Sequence, residues 1–119
     1  MDQPKVLVLD DDENILSAFR DFLKRERCYM LAASNAEEAM GQLERQHVDL
    51  LITDIRLKGL SGVMFFIEAK KIRPRLPVIV ITGYPDLVTE EDIKAYGADY
   101  FLLKPLDLEK LREAVRKCL

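Results

Sequence analysis

The sequence predicts an α/β fold, a doubly wound parallel sheet with helices on both faces, and three observations point to it. Short apolar runs alternate five times with amphipathic stretches of helical period, the pattern of βαβ units joined by right-handed crossovers. The runs are almost continuously apolar, as strands covered on both faces are. Polar and charged residues collect instead at the C-terminal ends of those runs.

Val6-Leu7-Val8-Leu9 is the first strand. In residues 14–25, Ile15, Phe19, Phe22 and Leu23 fall on one helical face. Residues 29–33 read as a weaker strand. Ser34 and Asn35 then offer an N-cap, with Glu38 at capping-box distance from Asn35. Ala36, Ala39, Met40 and Leu43 form the stripe of that second helix. Residues 48–53 are the third strand, which runs into Asp54. A loop with Gly59, Ser61 and Gly62 leads to a helix carrying Val63, Phe66 and Ile67, and Pro74 and Pro77 punctuate its end. Val78-Ile79-Val80-Ile81 is the clearest β-branched run. The helix of about residues 86–96 is only weakly amphipathic, with Gly97 as its stop. Residues 100–103 are the fifth strand. After Pro105, Asp107 caps a last helix whose stripe is Leu108, Leu111, Val115 and Cys118.

A chain of 119 residues suits one domain, 1–119, with 49% apolar residues to build a core. It ends with its last helix, so it is expected to be either a stand-alone domain or one cut from a longer protein. The net charge of −3, with Lys and Arg scattered, argues against direct nucleic-acid binding by this segment. Cys28 and Cys118 lie far apart with no CxxC pair, and read as packing residues in a reducing compartment. The N-terminal segment has no apolar signal-peptide core, and no run approaches the ~20 residues that cross a bilayer. A soluble, cytoplasmic protein is expected.

The residues at the strand ends carry the chemistry. The first strand runs into Asp10-Asp11-Asp12, the third into Asp54, the fourth into Thr82 and the fifth into Lys104. In a doubly wound sheet these ends share one edge, where such folds bind ligands. Crowded carboxylates resist ionising together unless a cation joins them. Mg²⁺ suits that role, with oxygen ligands from carboxylates, water and phosphate. Asp54 can then act as a nucleophile toward phosphorus. Thr82 can donate to a phosphoryl oxygen, and Lys104 can offset the charge that spreads over the others.

The segments VLVLDDDENI, LLITDIRLKGLSG, VIVITGY and ADYFLLKP closely resemble the receiver domain of bacterial two-component response regulators, and the resemblance covers essentially the whole chain. It implies a flavodoxin-like (βα)5 fold with strand order 2-1-3-4-5. It places the acidic pair on Asp10 and Asp11, leaving Asp12 as a helix-start carboxylate. It implies that Asp54 accepts a phosphoryl group from the phosphohistidine of a sensor histidine kinase or phosphotransfer protein. Mg²⁺ or Mn²⁺ would be held by Asp10, Asp11, Asp54 and the backbone carbonyl of Arg56. Thr82 and Phe101 would form the switch pair, and the Lys104-Pro105 peptide would be cis. The implied protein is a signalling phosphoacceptor that assists its own phosphorylation and dephosphorylation. Its output is a changed face of helix 4, strand 5 and helix 5, controlling an output domain, a downstream protein or a phosphorylation-dependent dimer. Lys58 departs from the proline many members carry there. The Arg56 side chain, not needed for the metal, is free to tune phosphoryl lifetime.

Other residues have plainer readings. His47, at the opposite end of the third strand, reads as structural or solvated. Phe65, Phe66 and Tyr29 read as core or half-buried packing, and core packing is the alternative for Phe101. Tyr84 and Tyr96 flank the weak helix as either a partner face or packing. Two rival functions remain at this level. One is a haloacid-dehalogenase-like phosphatase with Asp10 as nucleophile, although the chain is short for its cap and late acidic motif. The other is a receiver-like interaction module that is never phosphorylated.

Overall fold

The structure, a computed structural model, describes residues 3–55, 62–83 and 90–119. The expectations for Arg56, Lys58, Gly59, Ser61, Tyr84 and the start of the fourth helix at Asp86 lie outside the described residues. Five strands, β1 (Lys5–Leu9), β2 (Tyr29–Ala33), β3 (Leu50–Asp54), β4 (Val78–Thr82) and β5 (Tyr100–Leu103), alternate with five helices. These are α1 (Glu13–Arg25), α2 (Ala36–Arg45), α3 (Gly62–Ile72), α4 (Glu90–Ala95) and α5 (Leu108–Cys118). All neighbouring strands are parallel, in the order β2-β1-β3-β4-β5. Fold class and strand order are those expected.

The sheet separates two apolar layers. On one side Val6, Val8, Leu50, Ile52, Ile79 and Ile81 pack against α1 and α5. On the other, Leu7, Leu9, Leu51, Val78 and Val80 pack against α2, α3 and Ile93 of α4. β3 and β4 are buried along their whole lengths, which is why their sequences are apolar apart from Thr53 and the rim residues Asp54 and Thr82.

Local capping chemistry sets the helix ends. Asp12 accepts the Asn14 N–H at 2.9 Å and starts α1. Asn35 accepts the Glu38 N–H at 2.8 Å, while the Glu38 carboxylate reaches back to the Ser34 N–H at 3.2 Å. Asp107 caps α5 through the N–H groups of Glu109 and Lys110. At the end of α4, Gly97 has φ +112°, and the N–H groups of Gly97 and Ala98 close onto the carbonyls of Lys94 and Ile93. α1 ends in the same motif with Arg27, at φ 59°, in the place glycine usually takes.

Several expectations shift by a helical step or a strand residue. β3 begins at Leu50 rather than Val48, because the Asp49 carboxylate takes the Lys5 N–H at 2.8 Å ahead of the strand. In α1 the buried line is Leu16, Phe19, Phe22 and Leu23, and Ile15 is only half-buried. In α3, which is apolar nearly all round, Phe65, Phe66 and Ala69 turn inward and leave Val63 and Ile67 half-buried. In α5 the core takes Leu111, Ala114 and Val115. Leu108, in the first turn, is exposed and borders an apolar groove of about 250 Å³ with Ile15, Phe19 and Leu106. Tyr29 is 55% exposed, because it opens the edge strand β2. Phe65 and Phe66 are core as expected, and Tyr96 is exposed. His47 is exposed and pairs with Asp49 at 2.8 Å. Cys28 is buried, Cys118 half-buried and both thiols are free; burial pushes Cys118 up to about 11.

One polar contact ties α1 to α5. The Glu26 carboxylate receives Arg116 Nε at 2.9 Å and Arg112 Nε at 3.4 Å. The hydrogen bond from Arg116 is the main cause that holds the Glu26 carboxyl below its ordinary value. A depressed carboxyl stabilises the fold above its unfolded value and stops doing so as pH falls through its folded one. Glu26→Gln should therefore lower the urea midpoint at pH 7, and the gap from the parent should close below the ordinary glutamate value of 4.5.

Candidate functional site

Strand parity decides which polar side chains meet. Successive side chains on a strand point to opposite faces. Val8, Ile52 and Leu102 face the α1–α5 side, so Asp10, Asp54 and Lys104, each two residues further on, project from the C-terminal rim on that side. The backbone holds two of them beyond the strand ends. The Asp10 N–H reaches the Ala33 carbonyl at 3.2 Å, and the Lys104 N–H reaches the Thr82 carbonyl at 2.8 Å.

The Lys104 ammonium donates to Asp10 Oδ2 at 2.9 Å and to Asp54 Oδ2 at 2.8 Å. Asp10 is fully buried and Asp54 nearly so. Asp10 Oδ1 accepts the Asp12 N–H at 2.9 Å. Burial pushes the Asp10 carboxyl above the ordinary range, although the hydrogen bond from Lys104 works the other way. Burial alone would lower the Lys104 ammonium, yet its bonds to Asp54 and Asp10 outweigh that and hold it above the usual lysine value.

Asp11 completes the group. One carboxylate oxygen from each of Asp10, Asp11 and Asp54 lies within 4.8 Å of the others. Three hard oxygen donors around one point, with the Lys104 ammonium beside them, fit Mg²⁺ or Mn²⁺ by charge and by ligand type. Asp12 belongs to the helix cap, as expected.

Thr82 and Phe101 lie on the other face. Thr82 is fully buried at the end of β4, on the side of Val78 and Val80, and Phe101 is half-buried against that same layer. The Lys104-Pro105 peptide is cis, as the resemblance implied. Arg56 lies outside the described residues.

Gly62 was legible in the sequence only as a loop residue. A Cβ there would stand 2.2 Å from the Asp54 carbonyl oxygen and 2.6 Å from the Ile55 Cα. The Gly62 N–H also donates to the Ile55 carbonyl at 3.0 Å. The start of α3 thus lies flush on the backbone of the Asp54 carboxylate, a contact that no local spacing encodes.

Residues 6–116 match the family model of the response regulator receiver domain, and the chain belongs to that family. The response regulator protein PilR of Pseudomonas aeruginosa (strain PAO1) is 36% identical over 119 residues, all of this chain and 27% of that protein. Sporulation initiation phosphotransferase F of Bacillus subtilis (strain 168) is 28% identical over 97% of this chain and 93% of its own length. The crystal structure of a response regulator receiver protein from Pseudomonas putida superposes with a TM-score of 0.90 at 37% identity, covering 97% of each chain. The chain spans about a quarter of the length of the transcriptional regulators it matches. It is a receiver domain with a signalling phosphoacceptor role, and the phosphatase reading is not favoured.

Because backbone atoms, not a flexible side chain, oppose any Cβ at Gly62, Gly62→Ala should force α3 away from Asp54. Overpacking of this kind costs about 1–3 kcal/mol. Urea unfolding should show that loss, together with slower phosphorylation of the folded fraction.

Proposed function

We propose that Asp54 is the phosphoacceptor of this receiver, in a site completed by Asp10, Asp11 and Lys104. The observation that carries this reading is the Lys104 ammonium bound to both Asp54 and Asp10, with Asp11 within reach. An Asp54 carboxylate oxygen attacks the phosphorus of a phosphohistidine. The new O–P bond forms as the P–N bond breaks, and the electron pair leaves with the imidazole nitrogen of the donor. Lys104 stabilises the charge on the phosphoryl oxygens, and Thr82 offers a hydroxyl to one of them. Asp10, Asp11, Asp54 and the Arg56 carbonyl would hold Mg²⁺ or Mn²⁺, which when bound would supply positive charge to offset the carboxylates and the incoming phosphoryl group. The site assists both phosphorylation and hydrolysis, and the domain acts as a signalling component rather than as an independent enzyme.

The phosphoryl group adds close to two negative charges and three acceptors. It biases a two-state element made of Thr82, α4 and Phe101. α4 suits that part: within Glu90–Ala95 only Ile93 is buried. Tyr96 and Leu103, both about half exposed, border the α4–β5–α5 face that would be read. The donor is a sensor histidine kinase or a phosphotransfer protein. The receiver of the signal is an output domain, a downstream protein or a second copy. Among the described residues no helix is long and apolar enough to cross a membrane, which accords with a cytoplasmic setting.

Incubation with Mg²⁺ and acetyl phosphate, followed by intact mass, should give one phosphoryl adduct on the parent. Asp54→Asn and chelation with EDTA should each abolish it. Lys104→Met should slow it by roughly 100-fold, the scale of losing one transition-state donor. An adduct that persists in Asp54→Asn and maps to Asp10 would overturn the assignment.

A further inference from the structure

The layer facing α2, α3 and α4 is aliphatic along the middle of the sheet, with Leu7, Leu9, Leu51, Ile55, Val78 and Val80 in it. Thr53 stands in that row, between Leu9 of β1 and Val80 of β4, and is fully buried. Valine has nearly the same shape and would fill the place with no polar atom to satisfy. Burying a hydroxyl among aliphatic groups costs free energy unless it finds a partner. The Thr53 hydroxyl has one: it donates to the carbonyl of Asp54 at 2.9 Å. The same carbonyl is the atom that Gly62 approaches so closely.

The carbonyl and the carboxylate of Asp54 leave the same Cα. With β3 held between β1 and β4, anchoring the carbonyl fixes the remaining rotation, and with it the direction of the Cα–Cβ bond. We propose that Thr53 is a positioning residue for phosphoryl transfer, whose hydroxyl holds the Asp54 backbone so that the carboxylate meets Lys104 and the incoming phosphorus in line. Thr53 touches neither the phosphoryl group nor the metal ligands' carboxylates, and acts through Asp54. This inference rests on Asp54 being the phosphoacceptor.

The test compares the parent with Thr53→Val, Thr53→Ala and Thr53→Ser, following adduct formation with acetyl phosphate and Mg²⁺ over a range of donor concentrations. Urea midpoints are measured on the same samples. Thr53→Val and Thr53→Ala should lower the maximal rate by about tenfold, the effect of a sub-ångström misplacement, at an unchanged half-saturating donor concentration. Thr53→Ser, which keeps the hydroxyl, should recover most of the rate whatever its midpoint. Parental rates in Thr53→Val or Thr53→Ala would overturn the proposal. So would a loss in Thr53→Ser equal to that in Thr53→Val, because volume rather than the hydroxyl would then decide. No adduct on the parent itself would remove the Asp54 assignment, and this inference with it.

Discussion

The site depends on one ammonium group placed between two buried carboxylates. Lys104 lies 94 residues from Asp10 and 50 from Asp54 in sequence, yet it bonds to both. Without it, two acidic groups would face each other in a region where burial already works against charge on Asp10. The fold meets this electrostatic demand by bringing three strand ends to one rim. The third carboxylate, on exposed Asp11, adds negative charge that Lys104 alone does not balance, so the three carboxylates could hold a cation.

The sheet also separates the proposed phosphoacceptor site from the residues proposed to switch. Asp10, Asp54 and Lys104 belong to the side covered by α1 and α5, whereas Thr82 and Phe101 belong to the side covered by α2, α3 and α4. The two sides meet at the rim, where the Thr82 carbonyl takes the Lys104 N–H at 2.8 Å. α4 packs through Ile93 and closes with Gly97, where a Cβ would stand 3.0 Å from Lys70 Cε. A short helix with one buried side chain in its described span loses little apolar contact when it shifts, so it is the element of this layer least costly to move.

Much of the architecture was readable from local pattern. Each apolar run became a strand, and the caps at Asp12, Asn35 and Asp107 followed from side-chain chemistry within a few residues. Asp10, Asp54 and Lys104 were legible because each ends a run whose burial the sequence already shows. What escaped was non-local or lacked a periodic contrast. The phase of α3 was hidden by apolar residues on every face. The Arg27 turn at the end of α1 has no glycine to announce it. The Glu26 clamp pairs residues 86 and 90 positions apart. Gly62 and Thr53 both act on the Asp54 carbonyl, a backbone atom that leaves no trace in residue type.

The two-residue pleat makes the site a matter of odd and even. Lys104 shares a face with Leu102 and Tyr100, and Phe101 takes the opposite one. Adding or removing a single residue inside β5 would exchange those faces, sending the ammonium into an aliphatic layer and the ring toward the carboxylates. Helix-to-strand connections carry no such rule. Insertions and deletions in the lineage of this chain should thus be tolerated between elements, while the lengths of β1, β3 and β5 stay frozen.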